Sequence, residues 1–346
     1  MRFLGRFFIA LGAVAVAAMT FIIVITADGV RAQISRTIGI VVPYAPGGTA
    51  DIVARLLADQ AGRAGGPAMI VENRPGAGGA VGTETVARAT ADGTTLLVGN
   101  SGSIRNGVET RKLNYDPLRN FAPLCNLVSA PTVIAVNSAA PYRTLAQMLD
   151  DARARPGQIT MASIGPGSSF QLGFEMLKRA AKVDITFVPY PGNAPALNAV
   201  LGQQVTSMFA TLSNVSEYLK AGSLRALAVG NRARAQPLPD VPTVAEGGYG
   251  DFDIDAWFGA FAPAATPELA INEVEHLFTT ALDDARLKKS YRLRGCFRLW
   301  PAEMISPLTY ASKMTRTAAL LRRQTSRLSR LRTVAVNKTY RNSPHV

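Results

Sequence analysis

Two short stretches combine residue types that could hold a small anion. Gly47-Gly48-Thr49 follows an apolar run and opens a helical pattern, and Gly167-Ser168-Ser169 does the same later in the chain. Glycine lets the main chain approach a ligand closely. A helix N-terminus adds unpaired N–H groups and the positive end of its dipole. The hydroxyls of Thr49, Ser168 and Ser169 then supply neutral donors beside those amides, which suits a carboxylate and needs no arginine. One such junction alone is explained by simple helix caps; several in one chain point to a site.

Other chemistries lack their parts. There is no G-x-x-x-x-G-K-[ST], no G-x-G-x-x-G despite 30 glycines, and no G-x-S-x-G. His276 lies in a helical pattern and His345 is the penultimate residue, so neither serves a Ser-rich loop as a base. Two His and two Cys are too few for a Cys/His zinc cage or a disulfide framework. Cys125 reads as a buried small hydrophobe, and pairing with the distant Cys296 is the less simple reading. Asp251, Asp253 and Asp255 alternate like one face of a strand; a solvated edge is favoured over a cation site.

Strand-like and helical segments alternate, which predicts an α/β protein with largely parallel sheets. Strands are expected at Ile38–Val42, Met69–Val71, Leu96–Val98, Val133–Val136, Ile159–Ala162, Ile185–Val188, Val205–Phe209, Leu224–Val229 and Trp257–Ala262. Helices are expected from Thr49, over Val81–Ala89, Leu145–Ala154, up to Leu177, over Ala196–Leu201, and from Glu268 to about Arg286. Arg232–Tyr249, rich in Pro and Gly, reads as an excursion outside the core. Val42-Pro43-Tyr44-Ala45-Pro46-Gly47 is echoed by Val188-Pro189-Tyr190-Pro191-Gly192. Both leave a strand and enter a helix, as ligand-crevice loops do, and could face each other across a cleft.

The length of 346 residues suggests two domains, and 48% apolar residues allow a sizeable core. The net charge of +13 is local: residues 287–346 hold 14 Lys/Arg and one acid, whereas residues 1–286 balance at 23 of each. Arg2 and Arg6 precede the mostly apolar run Phe7–Ile25, and Val30-Arg31-Ala32 offers a cleavage point, so residues 1–32 read as an export signal. An uncleaved membrane anchor is the alternative.

The segment Ile38–Leu57, with its Val-Pro-Tyr-Ala-Pro-Gly-Gly-Thr-Ala-Asp core, resembles the opening of the tripartite tricarboxylate transporter substrate-binding proteins, the Bug/TctC family. Val71-Glu72-Asn73-Arg74-Pro75-Gly76-Ala77-Gly78-Gly79, Tyr115-Asp116-Pro117, Val188-Pro189-Tyr190, Leu224–Val229, Leu238–Val244 and Trp257-Phe258-Gly259 follow in family order. The resemblance spans about residues 36–286. It implies a type II periplasmic binding protein fold, two α/β lobes joined by crossing hinge strands (a Venus-flytrap). The implied layout is 33–131 for the first part of lobe 1, 132–232 for lobe 2, and 233–286 for the return segment and the rest of lobe 1.

By position, the resemblance implies ligand contacts at Tyr44, Ala45, Gly47, Gly48, Thr49 and Asp51 in one lobe. Ser168, Ser169, Gln171, Gly192, Asn193, Ala194, Phe209 and Thr211 are their counterparts in the other. Gln171 stands where a His is frequent, and Pro191 where a Lys is frequent. The implied function is a monomeric periplasmic receptor that hands a small carboxylate to a membrane permease, with no cofactor, metal, nucleic acid or catalysis. A secreted hydrolase or transferase using the Ser168/Ser169 loop is the alternative from another class. Near Lys288 the pattern departs into a basic tail, 287–346. Anionic lipid or nucleic acid would be its partners if it is functional, and a shifted reading frame accounts for it more simply.

Overall fold

The computed structural model describes residues 36–100, 102–106, 113–165, 168–250, 252–254 and 256–293. They build two α/β units on two five-stranded sheets. From edge to edge the first sheet runs β2 (Met69–Asn73), β1 (Ile38–Val42), β3 (Thr95–Asn100), β10 (Ala256–Pro263), β4 (Phe121–Ala130). The second runs β7 (Thr186–Tyr190), β6 (Thr160–Ile164), β8 (Ser207–Thr211), β5 (Thr132–Asn137), β9 (Leu224–Val229).

The sheets are mixed, not largely parallel as the alternation of elements predicts. β1 is parallel to β2 and β3, and β6 to β7 and β8, but β10 is antiparallel to both its neighbours and so is β5. The cause lies in the connections. β5 and β10 are the first strands after the chain passes between units. Each therefore starts at the junction, where the parallel strands end, and must run the other way.

Helices or short helical turns follow the parallel strands and also the antiparallel β5. α1 (Thr49–Arg63) follows β1, a 3-10 turn and α2 (Ala80–Ala87) follow β2, and a π turn at Gly102–Asn106 follows β3. In the second unit α3 (Leu145–Ala154) follows β5, while α4 (Ser169–Ala181), α5 (Asn193–Leu201) and α6 (Leu212–Lys220) follow β6, β7 and β8. α1 buries Val53, Ala54, Leu57 and Ala61, a helical stripe that fixes its rotation on the sheet.

The two crossings are stitched together. Fully buried Thr132 donates its hydroxyl to the Ile254 carbonyl (2.7 Å) and accepts the Gly230 N–H at its own carbonyl (2.8 Å). Its N–H reaches Asn231 Oδ1 at 2.8 Å. A Cβ on Gly230 would lie 2.3 Å from the Thr132 hydroxyl and 3.0 Å from the Phe209 ring, so this position requires glycine for space.

Arg232–Tyr249 is mostly irregular, as expected, yet it is no mere excursion. Val244 is fully buried in the core and Thr243 bridges to Val229. The expected helix from Glu268 is two helices, α7 (Glu268–Asp283) and α8 (Ala285–Leu293). Asp284 turns extended between them, and its carboxylate accepts the Arg286 and Leu287 N–H groups (2.8 and 3.1 Å), capping α8. Leu287 and Tyr291 are buried, so residues on both sides of Lys288 belong to the folded unit. Cys125 is buried, as expected. The export signal, Asp251, Asp255, Cys296, His345 and the tail beyond residue 293 lie outside the described residues, which contain no helix long and apolar enough to cross a membrane.

Candidate functional site

The carboxyl ends of β1, β2 and β3 face those of β6, β7 and β8, so the helix N-termini of both units meet along one cleft. On the first-unit side, the loop from Pro43 to Gly48 is braced from behind. Asp51, on the first turn of α1 and buried, accepts the Gly47 N–H (3.0 Å), Asn73 Nδ2 (2.9 Å) and Arg55 Nε (3.0 Å). Asn73 Nδ2 also donates to the Tyr44 carbonyl at 3.0 Å. Burial pushes the Asp51 carboxyl up, but hydrogen bonds from Arg55, Gly47 and Asn73 outweigh it and hold the group below the usual carboxylate range. Its charge is neutralised where it stands, and Gly47 at φ +84° completes the turn.

Tyr44 is a strut of this loop. Its buried hydroxyl donates to Asn100 Oδ1 at 2.6 Å, which also accepts the N–H groups of Gly102 and Ser103. Burial drives the phenol pKa far up, so it stays a neutral donor.

Across the cleft the two echoed loops meet. The Ala45 N–H points to the Pro191 carbonyl at 3.5 Å. A Cβ on Gly192 would come within 2.9 Å of the Ala45 Cβ, and one on Gly47 within 3.5 Å of the Ala194 Cβ. Thr49 makes the closest polar bridge. Its hydroxyl lies 2.7 Å from Thr211 Oγ1, 2.7 Å from Ser213 Oγ and 2.9 Å from Asn214 Oδ1, to which it donates.

The main-chain groups matter as much. Gly48, Gly192 and Thr211 are the cap residues of α1, α5 and α6, and none of them makes a side-chain cap. At α6 the Leu212 N–H is already taken by the Pro131 carbonyl (2.7 Å); the remaining first-turn amides of the three helices have no side-chain oxygen capping them. α4 differs: the Ser168 hydroxyl accepts the Gln171 N–H (3.2 Å) and donates to the Ile164 carbonyl (3.0 Å). It is a helix cap. Ser169 is buried, and its N–H faces the turn at Gly102, where a Cβ would lie 3.2 Å away. Gln171 is half-buried on the first turn of α4. Phe209 is buried behind the loops, edge-on to Phe170 (5.5 Å between centroids) and tilted over Phe252 (6.1 Å). Asn193, at the start of α5, is 7% exposed.

The residues expected from the sequence therefore collect at one seam, but in different capacities. Thr49, Ala45, Gly47, Gly192, Ala194 and Thr211 meet across it. Tyr44, Asp51, Ser168 and Phe209 engage their own units. Ser213 and Asn214 escape the sequence reading although Thr211-Leu212-Ser213-Asn214 is another hydroxyl- and amide-rich strand–helix junction; it lacks the glycines that mark the others. Asp253 pairs with Arg232 (3.5 Å), and no group of three or more metal-ligating side chains occurs among the described residues. His276 is exposed on α7, while both hydrogen bonds of Ser168 go to main chain.

Two α/β units of this topology, crossed by two chain segments and closed over a seam of helix N-termini, define a periplasmic-type solute-binding protein. The comparisons place it more closely. Residues 53–299 match the tripartite tricarboxylate transporter family receptor (TctC). Protein BugT of Bordetella pertussis is 31% identical over 281 residues, covering 79% of this chain and 86% of BugT. The structure of the periplasmic binding protein BugD superposes with a TM-score of 0.79 at 31% identity, covering 83% of this chain and 97% of BugD. MatC from Rhodopseudomonas palustris with bound malate gives a TM-score of 0.78 at 31% identity, covering 83% and 97%. The chain belongs to the tripartite tricarboxylate transporter receptor family. The match continues past Lys288 to residue 299, beyond the expected point of departure.

Proposed function

We propose that the protein is an exported receptor that captures a small carboxylate between its two lobes and delivers it, as a monomer, to the permease of a tripartite tricarboxylate-type transporter. It acts by binding and release, with no bond made or broken. One observation carries this reading: the first turns of α1, α5 and α6, none capped by a side chain, converge on a seam rich in hydroxyls. Such amides and hydroxyls favour a carboxylate without a cationic partner. MatC, with malate, supports the ligand class. Residues 1–32, with Arg2 and Arg6 before an apolar run, would direct export.

A thermal-shift screen of the purified protein against mono-, di- and tricarboxylates and amino acids tests it. A ligand present at 100 times its Kd should add about 2.7 kcal/mol. Turnover of an ester or amide with no carboxylate raising Tm would sink the receptor reading.

A further inference from the structure

The hydroxyls at the seam are taken: Thr49 with Thr211, Ser213 and Asn214, and Ser168 with its own helix. Two amide atoms are not. Asn193 Oδ1 and Asn214 Nδ2 are buried and have no hydrogen-bond partner. Asn193 is 7% exposed and sits between Gly192 and Ala194, the two residues that touch Ala45 and Gly47 across the cleft. Asn214 stands in the first turn of α6, which packs against α5, and its other amide atom already accepts from Thr49. Asn214 thus borders the seam through Thr49, and Asn193 is flanked by the two residues that line it; a buried polar atom left unpaired costs free energy that a bound group can recover.

The two atoms are complementary in kind. Oδ1 only accepts and Nδ2 only donates. A carboxylate has no proton to give Asn193, and an ammonium has no lone pair to take from Asn214. An alcohol does both. We propose that Asn193 and Asn214 recognise a hydroxyl group on the ligand, so that the receptor selects a hydroxy acid over its unsubstituted and amino counterparts. This rests on the carboxylate reading above and narrows it. Sites built to hydrogen-bond a hydroxyl reject ligands that lack it far more strongly than apolar pockets reject an extra one.

Isothermal titration of the purified protein with malate, succinate and aspartate tests this, with citrate against tricarballylate as a second matched pair. The hydroxylated acid should bind at least tenfold more tightly than its partners. In Asn193→Ala that ratio should collapse to within about twofold, and in Asn214→Leu likewise, each variant first checked by its melting curve. The wild-type ratios decide the matter even if a variant does not fold. Equal affinity for the hydroxylated and plain acids overturns the assignment and leaves the carboxylate reading standing, as does a ratio that survives in a folded Asn193→Ala. Binding of no carboxylate at all overturns both.

Discussion

Removing the Thr49 hydroxyl takes a partner from three groups of the opposite lobe at once. These bonds exist only when the lobes are together, so their loss acts on the ligand-closed form and not on either lobe alone. Thr49→Val should weaken ligand binding by about 1–3 kcal/mol, the range for stranding buried polar groups, mostly through faster release, measured by titration and stopped flow. Ser168→Ala should do something else: with its hydroxyl committed to capping α4, the loss is about 1 kcal/mol of stability, seen as a lower Tm with affinity within about twofold. In the sequence these two hydroxyls look alike, each following glycine at the mouth of a helix; only the three-dimensional partner separates a bridge from a cap. Asp51 gives a pH signature. Its folded pKa is lowered, so its stabilisation is complete above the ordinary aspartate value of about 3.9 and is lost as pH falls through the lower folded value. Asp51→Asn should lower Tm at neutral pH and flatten its fall below about pH 4.

At the scale of elements, the hinge concentrates the constraints. Gly230→Ala would drive a methyl into the Thr132 hydroxyl and the Phe209 ring, an overpacking that should cost about 1–3 kcal/mol, read as a drop in Tm. The periodic elements were legible beforehand. β1, α3 and β9 fall at the residues their patterns predict, because each carries a clean apolar run or stripe with clear breakers. β4 was hidden, since Phe121–Ala130 contains Pro123 and does not alternate. Its place at the edge of the sheet is what allows a proline, and the pairing with β10 is irregular there. α6 was hidden by Ser213, Asn214 and Ser216, poor helix formers, and is held by burial of Leu212 and Val215. In the site, glycine-marked junctions could be read directly, whereas the bridge to Ser213 and Asn214 depends on which loops the two sheets bring face to face.

For the whole molecule, the candidate site lies between Tyr44 and Asn214, far in sequence from the basic tail. Residues 294–346 carry eleven Lys/Arg and one acid. Removing them should leave ligand affinity within about twofold, whereas cutting from Asp284 onward would also remove buried Leu287 and Tyr291 and lower Tm. The order of strands has a different consequence, in time. β10 fills the gap between β3 and β4, yet it is synthesised after the entire second sheet. The five strands of the second sheet are all present at Val229, while the first sheet must wait with two unpaired strand edges until Ala256–Pro263 arrives. Pairings so distant in sequence form slowly, and open edges invite wrong partners meanwhile. In pulse-labelled hydrogen exchange during refolding, amides of β5, β6, β8 and β9 should become protected before those of β3 and β4. The lobe built on β1 and β10 is thus the late one, and its waiting period is when a chaperone would find something to hold.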